Sequence, residues 1–220
     1  MWLLDALRPS TSPLVAHGTR TVRDMLDTSA DMFDAATACL LDNERLGVDL
    51  GAMDDRVNQG KRDVRRVVLE HLAVSPQDDL SWSLLLLSAI QDAERAGDLA
   101  KSLAKAAALA SSPRQGEHVG VLRAIRDDVR AMFDGTCQAF SNSDTDAARG
   151  VMAANAGMKG RVADLLGAIA ADTSLTPNEA TVLALAARMI GRVASHLSNV
   201  ASAVAMPFDQ VRNAPLKKAA

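Results

Sequence analysis

Glu94-Arg95-Ala96-Gly97-Asp98 lies inside a long helical segment that begins near Leu80. A helix turns once every 3.6 residues, so Glu94 and Asp98 stand one turn apart on the same face. Like charges at that spacing repel and add nothing to helix stability. Either water screens them on a solvated face, or something cationic fills the space between them. An upstream helical segment offers Asp54 and Asn58, also four apart. Carboxylate and amide oxygens from two antiparallel neighbours can converge on one hard cation.

The composition agrees with helices. Ala and Leu dominate the 220 residues, aromatics make up 3%, and there is no Tyr. A β-sandwich or barrel draws on Tyr, Phe, Trp and Thr, which are scarce here. The formal charge of −3 argues against a general nucleic-acid binder, because phosphate contacts need a basic field. No stretch reaches the roughly 18 apolar residues of a membrane span. Met1-Trp2-Leu3-Leu4 is too short for a signal-peptide core, and the expectation is a cytoplasmic protein. Cys39 and Cys137 lie far apart without C-x-x-C spacing and read as reduced, buried thiols.

The chain repeats itself once. Met32-Phe33-Asp34 recurs as Met132-Phe133-Asp134, and Leu50-Gly51-Ala52-Met53 has a weaker echo in Arg149-Gly150-Val151-Met152. Gly97-Asp98-Leu99-Ala100 aligns with Gly191-Arg192-Val193-Ala194, and Leu103 with Leu197. The preserved order implies a duplicated supersecondary unit. In the first copy, periodicity and breakers predict helices over about Thr19 to Asn43, Leu50 to Ala73 and Gln77 to Ala110. In the second they predict about Arg114 to Asn142, Asp144 to Asp172 and Pro177 to Ala205. Thr176-Pro177-Asn178-Glu179 is a capping box with Pro at the first helical position. Short connections make sequence neighbours antiparallel. The fold class expected is all-α, two tandem antiparallel three-helix bundles. Residues 1–112 form the first, 113–206 the second, and a tail over 207–220 frays.

Asp92-Ala93-Glu94-Arg95-Ala96-Gly97-Asp98 resembles the D-x-E-R-x-G-D signature of the PhoU family of phosphate-signalling proteins. Asp54-Asp55-Arg56-Val57-Asn58 resembles that family's D-x-x-I/V-N/D element on the second helix. Length, duplication and helical pattern agree, so the resemblance covers nearly the whole chain. It implies two three-helix bundles with acidic pairs on one surface that bind metal ions. It also implies a regulatory adaptor, not an enzyme, that docks on a phosphate transporter subunit and on a sensor histidine kinase. Such a protein restrains both when phosphate is plentiful and meets the membrane through its partners. The ligand candidates are Asp54, Asn58, Glu94 and Asp98, with Asp55 and Asp92 as alternates. No His follows at the spacing of a diiron bundle, so an oxygen-rich, exchangeable site is expected. Its ion is a divalent or trivalent metal (Mg, Mn, Fe or Zn), or none.

The second copy departs from this pattern. Alignment by the shared Gly puts Arg188 where Glu94 stands and Arg192 where Asp98 stands, with Ala153 and Gly157 replacing Asp54 and Asn58. Guanidinium groups cannot hold a metal cation. The pair either binds an anion or an acidic partner surface, or simply faces solvent.

Lys61, Arg62, Arg65 and Arg66 read as one side of the second helix, suited to acidic lipid headgroups, an acidic receptor loop or plain solvent. His71 reads as a helix-end contact and His17 as a loop or cap residue, while His118 and His196 lack a spaced His or Cys partner. No P-loop, G-x-G-x-x-G or G-x-S-x-G motif is present, and no nucleophile–base pair stands out. Two other classes compete with the adaptor. One is a metal-dependent carboxylate-bundle enzyme, the other a metal-free helical interaction protein. The long Ala- and Leu-rich helices leave a homodimer open.

Overall fold

The computed structural model describes residues 13–212. They form six α-helices: α1 (Pro13–Leu41), α2 (Leu50–Val74), α3 (Leu80–Leu109), α4 (Glu117–Asn142), α5 (Thr145–Ala171) and α6 (Pro177–Ala205). There is no strand among the described residues. The fold is all-α, with two antiparallel three-helix bundles in tandem.

Local chemistry sets the helix ends. The Asp49 side chain accepts a hydrogen bond from the Ala52 amide, and Asp144 accepts from the Asp146 and Ala147 amides. At α6 the capping box is complete, Thr176 and Glu179 each satisfying the other's backbone N–H. These caps answer the orphan donors that every helix start leaves behind. Two boundaries move from the sequence reading. α1 is already helical at Pro13, upstream of the expected start near Thr19. α4 starts at Glu117 rather than Arg114, because side chains hold the linker extended. Asn43 accepts from the Arg114 amide at 2.8 Å and donates to its carbonyl at 3.0 Å, and Asn178 accepts from the Ser111 amide at 3.0 Å.

α1, α2 and α3 pack on one another, as do α4, α5 and α6. Between bundles, first helix meets first helix (α1 with α4) and third meets third (α3 with α6), leaving α2 and α5 on the outside. The repeated Met-Phe-Asp segments meet at this seam. The Phe33 and Phe133 rings lie 5.6 Å apart at a tilted angle, both essentially inaccessible. Arg130 spans the same place, its Nε 2.8 Å from Asp34 and its Nη1 2.7 Å from Asp134. Buried apolar side chains run without interruption from one bundle into the other. Each large one contributes about 1.5–3 kcal/mol.

The C-terminal end of α1 is tied to the second half by guanidinium groups. Arg114 donates to the carbonyls of Cys39 (2.6 Å) and Leu40 (2.7 Å), and Arg123 donates to that of Leu41 (2.7 Å). Asp42 takes Arg123 at 2.7 Å and Arg126 at 2.5 Å. Partial burial opposes ionisation of Asp42, but the two arginines outweigh it and hold the carboxyl below its ordinary value.

Beyond α6 the chain makes a short 3₁₀ turn, Phe208–Gln210, and Arg212 then bonds the Ser88 carbonyl and Asp92 of α3 and the Ser202 hydroxyl of α6. The stretch from Pro207 to Arg212 is therefore held, where the sequence reading expected fraying. The remainder of that tail, with Lys217-Lys218, and the N-terminal Met1-Trp2-Leu3-Leu4 lie outside the described residues. Both cysteines are free, as expected, but half-buried rather than buried. Burial and the neighbouring Asp27 push the Cys137 thiol up to about 12, which favours its protonated form. No described helix is long and apolar enough to cross a membrane.

Candidate functional site

α2 and α3 run side by side and bring the two acidic pairs together. A cation does occupy the space between them. It is Lys101, one turn beyond Asp98 on α3, whose Nζ lies 2.6 Å from Asp54 and 3.2 Å from Asp98. A second ammonium, Lys61 of α2, lies 2.8 Å from Glu94. Arg95 completes the set, 3.1 Å from Asp98 and 3.8 Å from Glu94. The Asn58 amide is turned inward and donates to Asp54 at 2.9 Å. Partial burial lowers the pKa of Lys101, but Asp54 and Asp98 outweigh it and raise the value, so the ammonium is fixed as charged.

This donor set does not fit a metal ion. The carboxylates are divided between two lysines, and Asn58 presents its N–H₂ to Asp54 rather than its oxygen to the groove. Among the described residues no three His, Cys, Asp or Glu side chains converge on one point. One oxygen, Asp54 Oδ1, is buried without a hydrogen-bond partner, and a single orphan does not make a coordination shell. The four expected ligands are thus brought to one groove, where two ammonium groups engage the three carboxylates.

The alternates separate from the site altogether. Asp55 is exposed on the outer face of α2. Asp92 points the opposite way from Glu94, into the seam between bundles. There His196 Nδ1 lies 2.8 Å away, Asn199 donates at 2.9 Å, and Arg212 Nε lies 2.7 Å off. Burial penalises the Asp92 carboxylate, but these α6 and C-terminal partners outweigh it and hold its pKa below the usual value.

Other sequence expectations are rearranged. The outer basic patch on α2 is partly spent, since Lys61 turns to Glu94, Arg62 donates to Gln59 and Arg66 pairs with Asp63. His71 does make a helix-end contact, its Nε2 3.0 Å from the Asp78 carbonyl. His17 sits within α1 rather than in a loop. His118 is paired with Asp172 at 2.9 Å, a carboxylate partner that a search for spaced His and Cys does not find.

Residues 22–107 match the family model of the PhoU domain. The first bundle matches the PhoU domain over most of its length. The match contains Asp54, Asn58, Glu94 and Asp98, and the lysines that neutralise them. Over the whole fold the chain is similar to the crystal structure of PhoU from Pseudomonas aeruginosa. That likeness has a TM-score of 0.78 and 22% identity, over 85% of this chain and 93% of that one. It is also similar to the phosphate transport system regulatory protein PhoU from Streptococcus pneumoniae, with a TM-score of 0.78 and 16% identity over 93% and 98% of the two chains. At these identities the likeness is one of fold. Comparison with the curated proteins finds no match by sequence.

Beyond the matched PhoU domain, the groove between α5 and α6 stands where the α2–α3 groove stands in the first. Arg188 and Arg192 both line it, joined by Lys159 and Ser195, two residues the sequence reading did not single out. The glycine used for alignment is not in the same setting in the two copies. A Cβ on Gly97 would lie 3.2 Å from Ser29 of α1, whereas one on Gly191 would lie 3.1 Å from Val162 of α5. No acidic side chain lines the second groove among the described residues.

Proposed function

We propose that this chain is a regulator of phosphate transport that acts by docking on other proteins and not by making or breaking bonds. The observation that carries the reading is the PhoU family match over residues 22–107, which encloses the whole acidic constellation. The likeness of fold to PhoU proteins along nearly their full length supports extending it to both bundles. The partners we assign are a phosphate transporter subunit and a sensor histidine kinase at the cytoplasmic face of the membrane. In this reading Lys61 and Lys101 take the place a metal would hold, so docking is metal-independent. A carboxylate-bundle enzyme would need several oxygen or imidazole ligands free to reach one ion, and here they are engaged by ammonium groups.

The test is affinity capture of the tagged full chain from membrane extracts of cells grown at high and at low phosphate, with identification of what is retained. We expect a phosphate transporter subunit or a sensor kinase, with recovery that changes with phosphate supply. Recovery of neither in either condition overturns the proposal.

A further inference from the structure

The groove between α5 and α6 has the properties of an anion site. Arg188 and Arg192 stand one turn apart on α6, and Lys159 faces them from α5. Together they line a cavity of about 300 Å³ with Ser195 beside them and Met158, Val162 and Gly191 beneath. All three cations lack a carboxylate at ion-pair distance among the described residues. Lys61, Lys101 and Arg161, by contrast, each meet a carboxylate. The lack of any acidic lining residue leaves their field uncompensated, and a concave site with low-dielectric walls concentrates it. Met158 and Val162 are buried, so the floor is apolar.

From this geometry we infer that the α5–α6 groove binds the phosphoryl group of a small ligand. The choice of anion follows from charge and valence. A carboxylate carries one charge and two oxygens, enough for one guanidinium fork. A phosphoryl group carries close to two charges and three terminal oxygens, enough to accept from two forks and an ammonium at once. The Ser195 hydroxyl, now held between the Gly191 carbonyl (3.1 Å) and Asn155 (3.4 Å), stands at the rim as a further polar group. The size is at the lower end for small-molecule pockets, which suits inorganic phosphate or a compact phosphate ester resting its apolar part on Met158 and Val162. The inference stands on these residues and is independent of the docking role proposed above.

The test is calorimetric titration of the full chain with inorganic phosphate and, separately, ADP, in phosphate-free buffer of low ionic strength. Wild type is compared with Arg188→Gln/Arg192→Gln and with a control that removes equal charge from α2, Arg62→Gln/Arg65→Gln. All four arginines are exposed, and thermal melts establish that each variant is folded. Saturable one-to-one binding is expected for at least one ligand, weakened roughly tenfold or more in the α6 variant and unchanged in the control. Tighter binding of phosphate identifies the free ion, and tighter binding of ADP identifies an ester. No saturable binding of either ligand, or the same loss in both variants, overturns the inference.

Discussion

Lys101 decides what the acidic pairs can do. Its ammonium reaches both Asp54 and Asp98, so truncating it leaves two carboxylates facing each other across a half-buried groove. Lys101→Met is expected to destabilise the protein by about 1–2 kcal/mol in urea denaturation at neutral pH. Asp98 and Lys101 are an i, i+3 pair visible in the sequence, but the bridge to Asp54 depends on the register of α2 against α3, which no local spacing states. The sequence reading listed Asp92 as an alternate ligand, and helix geometry alone argues against it. Two residues apart on a helix is about 200° of rotation, so Asp92 and Glu94 cannot serve one site.

Asp92 also gives a pH prediction. Its folded pKa lies below the ordinary 3.8, so the stabilisation it supplies is whole above that value. It drains away as pH falls through the lowered folded value. Asp92→Asn is therefore expected to lower stability by about 1–3 kcal/mol at pH 7, with a cost that shrinks in denaturant titrations run at successively lower pH under 3.8.

Among the elements, α5 is built differently from the rest. Gly150, Gly157, Gly160 and Gly167 all lie on its exposed side, with open space where a Cβ would go. Each weakens the helix by about 0.5–1 kcal/mol relative to Ala. Gly167→Ala is expected to raise stability by that amount in thermal or chemical unfolding. Gly18→Ala in α1 is the contrasting case. A Cβ there would come within 2.5 Å of Leu86, itself fully enclosed, and overpacking is expected to cost about 1–3 kcal/mol. Elements such as α6 were readable almost to the residue because Thr176, Pro177 and Glu179 carry the start signal in their own chemistry. The start of α4 was not, because Asn43 and Asn178, some seventy residues away in either direction, hold the linker out of the helix.

At the scale of the molecule, the two bundles share one core. Phe133→Ala removes a ring packed against Phe33 and is expected to cost about 3–5 kcal/mol. Because the apolar cluster is continuous, tryptophan fluorescence and far-ultraviolet circular dichroism are expected to report one coincident transition in that variant. The internal repeat was visible in the sequence, yet it could not say that the repeated segments touch. That contact has a consequence of its own. A side chain that packs on its own counterpart is the mark of an isologous interface, the kind that joins two identical subunits about a dyad. A dimer of one gene product must carry the same groove twice. Written as a single tandem polypeptide, the same architecture is released from that rule. Mutation can then fill one cleft with carboxylates closed by lysine and leave the other cationic and open, while the seam that holds the halves together stays unchanged.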